Sequence, residues 1–141
     1  MIKLAHACIE SADLDATERF YACLGLRRQF EFRNLSGLLI GYYLRFDDQT
    51  FLEVIRVEKV RPEGTVRHFA IESDDIETLR QRLVAAGYAA TDKRLGEDGT
   101  WLVECVDPSG VAIELHEYDM DSLQQRGGVC VLDYTPRPAT P

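Results

Sequence analysis

Two histidines and two glutamates in this chain could do metal chemistry, and they come in matched positions. His6-Ala7-Cys8-Ile9-Glu10-Ser11-Ala12-Asp13-Leu14 reappears 62 positions on as His68-Phe69-Ala70-Ile71-Glu72-Ser73-Asp74-Asp75-Ile76. Phe51-Leu52-Glu53-Val54 reappears 61 positions on as Ala112-Ile113-Glu114-Leu115. A nearly constant shift is the mark of a duplicated supersecondary unit, each copy opening on a His and closing on a Glu. Two copies paired about a pseudo-twofold axis bring His6, Glu53, His68 and Glu114 together as a metal site. Imidazole and carboxylate without sulfur suit one divalent ion of the Zn, Ni, Co, Fe or Mn group. Four such ligands leave one or two positions for water or for adjacent oxygens of a small-molecule substrate. Two carboxylates balance the ion's charge, so one Glu can detach and act as a base. The chemistry favoured is proton removal beside a carbonyl, the metal stabilising the resulting enediolate.

The elements that must hold these residues are readable. Residues 2–10 alternate as a strand, with Ala7 and Ile9 on one face and His6, Cys8 and Glu10 on the other. Asp13 is placed to cap a helix to about Leu24, with Leu14, Phe20, Tyr21 and Leu24 on one stripe and Gly25 as its stop. Asp75 and Gly87 bracket the second helix, whose stripe is Ile76, Leu79, Leu83 and Val84. Strand-like runs follow at about 26–33, 37–46 and 50–57, and again at about 88–94, 100–106 and 111–116. Asp47-Asp48 and Asp107-Pro108-Ser109-Gly110 are the turns before the closing strands. Period-2 geometry sends Leu52, Val54, Ile113 and Leu115 toward the helices and both Glu side chains the other way. His6 and His68 share that helix-free face, and His116 follows Glu114 on it.

The fold expected is α+β. Two βαβββ units, about 2–57 and about 66–117, pair into a curved mixed sheet with helices on the outer face, joined by Val60-Arg61-Pro62-Glu63-Gly64. One domain spans 1–141, with a tail at 118–141 rich in Gly and Pro.

Composition narrows the partners. The 141 residues carry 24 acidic and 16 basic side chains, a net charge of −8, which argues against nucleic acid. No apolar run approaches the ~20 residues of a membrane span, and Met1-Ile2-Lys3-Leu4-Ala5-His6 does not read as a signal peptide, so no membrane is expected and the cytoplasm is. Cys8, Cys23, Cys105 and Cys130 are scattered and expected reduced, with Cys8 and Cys105 acting as small buried apolar groups. Arg27-Arg28 reads as a solvated strand face, and Trp101 as a packing residue. Arg45, Tyr42 or Tyr43 are possible pocket residues.

Residues 2–117 resemble the vicinal oxygen chelate superfamily, whose marks here are Phe20-Tyr21…Leu24-Gly25-Leu26, Asp107-Pro108-Ser109-Gly110 and Ile113-Glu114-Leu115-His116-Glu117. Within it the chain is most similar to glyoxalase I (lactoylglutathione lyase), whose ligand order of His or Gln, Glu, His, Glu is matched by His6, Glu53, His68 and Glu114. That resemblance implies a metal-dependent lyase or isomerase with Glu114 as the proton-shuttling base and Glu53 as its symmetry mate. It also implies a homodimer. Where glyoxalase I keeps an Arg for the glutathione carboxylate, this chain has Glu10, and the stretch after Glu53 is Val54-Ile55-Arg56-Val57 with no Asn, leaving Arg56 as the candidate anion anchor. Other activities of the same fold are an epimerase acting on a coenzyme A thioester, a ring-cleaving dioxygenase using two His and one Glu, and a metal-free bleomycin-type resistance protein.

Overall fold

Each half of the chain folds as β-α-β-β-β because the same signals bracket each helix. The computed structural model describes residues 4–47, 50–61, 66 and 68–131. In the first unit, strand β1 (His6–Ser11) leads into helix α1 (Leu14–Cys23), followed by β2 (Arg27–Arg33), β3 (Leu39–Arg45) and β4 (Phe51–Arg56). In the second, β5 (Phe69–Glu72) leads into α2 (Ile76–Ala85), followed by β6 (Arg94–Leu95), β7 (Trp101–Val106) and β8 (Ala112–Glu117). The Asp13 carboxylate accepts from the Ala16 N–H at 2.9 Å, and the Asp75 carboxylate from the Thr78 N–H at 3.0 Å, each satisfying an orphan donor of the first turn. Gly25 (φ 90°) and Gly87 (φ 88°) take the left-handed residue that ends each helix.

The units build separate four-stranded mixed sheets of identical design. Their orders are β1-β4-β3-β2 and β5-β8-β7-β6, with the first pair parallel and the others antiparallel. Parallel pairing follows from the helical crossover between β1 and the rest of its unit. One core joins the units: Ile9, Tyr42, Leu44, Leu52 and Val54 pack with Leu14, Phe20 and Tyr21, continuous with Ile71, Val103, Ile113 and Leu115 beneath Ile76, Leu79 and Leu83. The units meet through their helices. Phe20 lies edge-on to Tyr88 with ring centroids 5.0 Å apart, and the buried Tyr21 hydroxyl donates to Asp107 at 3.1 Å. Asp107 also accepts the Ser109 and Val111 N–H groups, so the two sequence marks Phe20-Tyr21 and Asp107-Pro108-Ser109-Gly110 turn out to be the two halves of one inter-unit clasp. Among the described residues, no helix is long and apolar enough to cross a membrane.

Several sequence expectations need correction. The run at 88–94 reduces to Arg94–Leu95 plus a single bridge from Ala90 to Cys105. The cause is Thr91, whose hydroxyl accepts the Glu104 N–H and displaces a backbone partner from the ladder. Val84 is half exposed and off the buried stripe, whereas Thr17, a buried residue of α1, is on its stripe and bonded to Ser11 at 2.8 Å. Cys8 is exposed on the helix-free face; only Cys105 is the buried apolar thiol expected. Arg28 is no idle surface residue, since it binds Glu18 and Glu31 and covers the Tyr42 ring, clipping β2 to α1. The start of the tail is ordered. Helix α3 (Leu123–Arg126) docks on the Gly96–Thr100 turn, where the Ser122 hydroxyl donates to the Gly99 carbonyl and the Leu123 N–H to that of Asp98. Asp48, most of the Val60–Gly64 linker and residues 132–141 lie outside the described residues.

Candidate metal centre

Strand register decides what meets what. β1 and β4 run parallel with His6 opposite Phe51 and Cys8 opposite Glu53, so His6 and Glu53 lie diagonally adjacent on the helix-free face. The His6 Nε2 and Glu53 Oε2 atoms are 3.2 Å apart. In the second unit Ala70 lies opposite Glu114, which brings His68 diagonally beside it, Nε2 to Oε2 3.5 Å. The duplication therefore reproduces the same His–Glu pair twice. Ligand atoms ~2.1 Å from a shared ion lie roughly 3.0 Å apart along an octahedral edge and roughly 3.4 Å along a tetrahedral edge. Both pairs have that spacing, and imidazole with carboxylate is a donor set such ions accept. The residues fit a divalent metal, two at a time.

The four do not gather within one chain. Among the described residues, no group of three or more His, Cys, Asp and Glu side chains stands close enough to hold an ion. Each pair opens on its own stretch of surface, because the units are joined through α1 and α2 and not through their helix-free faces. His68 and Glu114 line a cleft of about 480 Å³ formed with Ala90, Thr91, Glu104 and Ile113.

Each Glu has a second partner. The Tyr43 hydroxyl lies 3.2 Å from Glu53 Oε2 and 3.5 Å from His6 Nδ1. Desolvation, then the Glu53 charge, pushes the Tyr43 phenol above its ordinary value, so it stays protonated and donates. Glu114 Oε2 is 2.8 Å from His116 Nε2, and His116 Nδ1 is 3.1 Å from the Tyr118 hydroxyl. Burial, then the charge of Glu72, raises the Tyr118 phenol as well. The chain Tyr118 O–H to His116 Nδ1, His116 Nε2–H to Glu114 fixes one tautomer and aims the carboxylate, as partners of metal-binding carboxylates generally do. His116 thus lies on the face expected of it. Tyr118 was not singled out in the sequence; its only signal was the i+2 spacing from His116.

Other candidates separate cleanly. Tyr43 faces the His6–Glu53 pair, whereas Tyr42 is buried on the helix side and donates to the Leu14 carbonyl at 2.7 Å. Arg56 falls on the side of Leu52 and Val54, opposite Glu53, so it cannot serve as an anion anchor over the pair. Glu10 is engaged by Arg61, which holds its carboxyl below the usual range. Trp101 is half buried against the core, as expected of a packing residue, with the Lys93 ammonium 5.3 Å from its ring centroid.

Solved structures of the same architecture are numerous. A glyoxalase family protein from Enterococcus faecalis aligns with a TM-score of 0.69 at 25% identity, covering 82% of this chain and 97% of that one. A bleomycin resistance determinant encoded on the transposon Tn5 aligns at 0.65 and 20% identity, over 84% and 99%. A lactoylglutathione lyase from Agrobacterium tumefaciens aligns at 0.60 and 19%, over 82% and 92%; at these identities the last two speak to the fold alone. No curated protein matches the chain. A family model matches residues 3–115, spanning both units and all four His and Glu residues. The chain belongs to the Glyoxalase/Bleomycin resistance protein/Dioxygenase superfamily.

Proposed function

We propose that the protein is a metal-dependent lyase or isomerase of the glyoxalase I type, removing a proton beside a carbonyl of a small substrate with adjacent oxygens. The observation carrying this reading is the twofold recurrence of a His–Glu pair at coordination-edge spacing, 3.2 Å in one unit and 3.5 Å in the other. The full ligand set of His6, Glu53, His68 and Glu114 arises between two chains of a homodimer. His6 and Glu53 of one protomer face His68 and Glu114 of its partner, which gives two sites per dimer. When bound, a Zn, Ni, Co, Fe or Mn ion supplies Lewis acidity that makes the C–H beside a carbonyl easier to deprotonate.

The chain's own residues do the rest. Glu114 is the base, held in the cleft by His116 and able to turn one oxygen to the substrate while the other keeps its hydrogen bond. Glu53, which accepts from the Tyr43 hydroxyl, is the symmetry mate of Glu114 and balances charge. The half-exposed imidazoles His6 and His68 lie open to solvent in the single chain, as half-sites awaiting a partner would.

The test is a panel assay of the metal-loaded protein with methylglyoxal–thiol adducts, thioesters and catechols. Isomerisation of the adducts, or solvent deuterium entering a carbon beside a carbonyl, is expected. Oxygen consumption with catechols would overturn the reading in favour of ring cleavage. A protein that binds no metal would instead be a binding cup, as in a bleomycin-binding protein of this fold solved with bleomycin.

A further inference from the structure

The two units keep the same His and Glu but differ at the neighbours of those residues. Tyr43 sits opposite Glu53 in the β3–β4 ladder, and the equivalent place opposite Glu114 holds Glu104. Phe51 sits opposite His6, where the second unit has Ala112. Phe32 at the β2 edge is replaced by Arg94, which binds Glu104 at 3.1 Å. The first unit therefore carries a contiguous aromatic shelf beside its His–Glu pair, and the second has no ring at the matching places, which hold Glu104, Arg94 and Ala112.

The shelf is well ordered as packing goes. Phe30 stacks on Tyr43 with centroids 4.5 Å apart and planes 20° from parallel. Phe32 meets Phe30 and Tyr43 edge-on at 5.3 and 5.7 Å, and Phe51 lies 5.7 Å from Tyr43. The Tyr43 ring is 5.4 Å from the His6 ring, so the shelf begins one ring's width from the ligands. Phe30 remains 45% exposed despite its apolar ring. The cations near this unit are largely engaged, Arg28 and Arg33 with Glu31, and Arg61 with Glu10. On the Tyr43 face of the sheet, Arg45, beside Phe51 in the ladder, is left with no carboxylate partner among the described residues, while Arg56 lies on the opposite face.

We propose that the substrate carries a flat, uncharged aryl group next to its paired oxygens, and that Phe30, Phe32, Tyr43 and Phe51 receive it. The chemistry follows from the lining. Ring faces favour another ring by stacking and by burial of apolar area, and an exposed ring beside the His–Glu pair is where that gain is realised. One cation accommodates at most one anionic group, whereas a glutathione moiety carries two carboxylates. This deepens the metal-dependent reading above and rests on it.

The probes are benzohydroxamate and acetohydroxamate, which share two chelating oxygens and differ by phenyl against methyl. Both are titrated calorimetrically into Co²⁺-loaded full-length protein, with the Co²⁺ absorption spectrum reporting chelation. Benzohydroxamate is expected to bind about tenfold tighter or more, a gap that Phe30→Ala closes and Phe30→Leu narrows. Circular dichroism and retained Co²⁺ show that each variant is folded. Equal affinity of the two probes, or a gap indifferent to Phe30, overturns the shelf while leaving the metal reading intact. Equal affinity with Phe30 protected in the dimer would assign the shelf to the contact between copies of the chain. Failure of both probes to perturb bound Co²⁺ overturns the shelf and the open-coordination reading together.

Discussion

The proposed sharing of His6, Glu53, His68 and Glu114 between two chains makes a sharp prediction about mixtures. His6→Ala removes a ligand from the first half, and His68→Ala from the second. Each variant alone leaves every site of a homodimer with three ligands at most, so each purified variant is expected to lose stoichiometric metal. In a heterodimer of the two, one site combines both lesions, while the other pairs His6 and Glu53 of the His68→Ala chain with His68 and Glu114 of the His6→Ala chain. That second site is intact. Random reassortment of equal amounts makes half of all dimers heterodimers, each with one good site of two. Metal content should therefore recover to about a quarter of wild type. The premise is the separation of the pairs in the single chain, where no described group of three ligands exists. The assay is denaturation, mixing, refolding and removal of free Zn²⁺, followed by elemental analysis of the dimer fraction. No recovery, with both variants dimeric and folded, would refute the shared site. Full metal retention by either variant alone would refute the ligand set.

Further predictions follow from the partners of the ligands and from the inter-unit clasp. His116→Ala should weaken Co²⁺ binding by about 10- to 100-fold by freeing the Glu114 carboxylate, with partial restoration in His116→Gln, as measured by chelator competition. Tyr21→Phe leaves a buried Asp107 oxygen without its donor and should cost about 1–3 kcal/mol in urea unfolding; an unchanged midpoint would mean the clasp contributes nothing. Asp107 itself carries a pH signature. Burial raises its pKa above 3.8 despite three backbone N–H donors and Tyr21, so the folded state binds its proton more tightly than the unfolded state. Its contribution is fully present below pH 3.8 and is lost as pH rises through the higher native value. The stability of wild type relative to Asp107→Asn should accordingly fall with rising pH in that window. A difference that is flat or rises with pH would contradict the assignment.

Much of this molecule was legible because its signals are local. Asp13 with Gly25, and Asp75 with Gly87, bracket the helices by cap chemistry that needs no tertiary knowledge, and alternation around Glu53 and Glu114 set their face correctly. The failures lie where a side chain reaches across strands. The Thr91 hydroxyl shortens β6 by taking a ladder N–H, and nothing in Ala89-Ala90-Thr91 announces it. Arg56 and Tyr42 were candidates because their chemistry suits a pocket, but their strand phase sends them to the other face. The aromatic shelf was hidden because Phe30, Phe32, Tyr43 and Phe51 come from three strands whose register only the fold supplies. The distribution of the ligands over two surfaces was likewise beyond the repeat pattern, which shows that the units match but not which faces they join.

The central claim is a single ion held by His6, Glu53, His68 and Glu114, two residues from each of two chains. Crystals of the Zn²⁺-loaded protein, measured on both sides of the zinc absorption edge, test it most directly. An anomalous peak roughly 2.0–2.2 Å from the nitrogens of His6 and the partner's His68, and from an oxygen of Glu53 and the partner's Glu114, is the expected result. A peak ligated elsewhere, or a dimer whose two His–Glu pairs face solvent far apart, would contradict it.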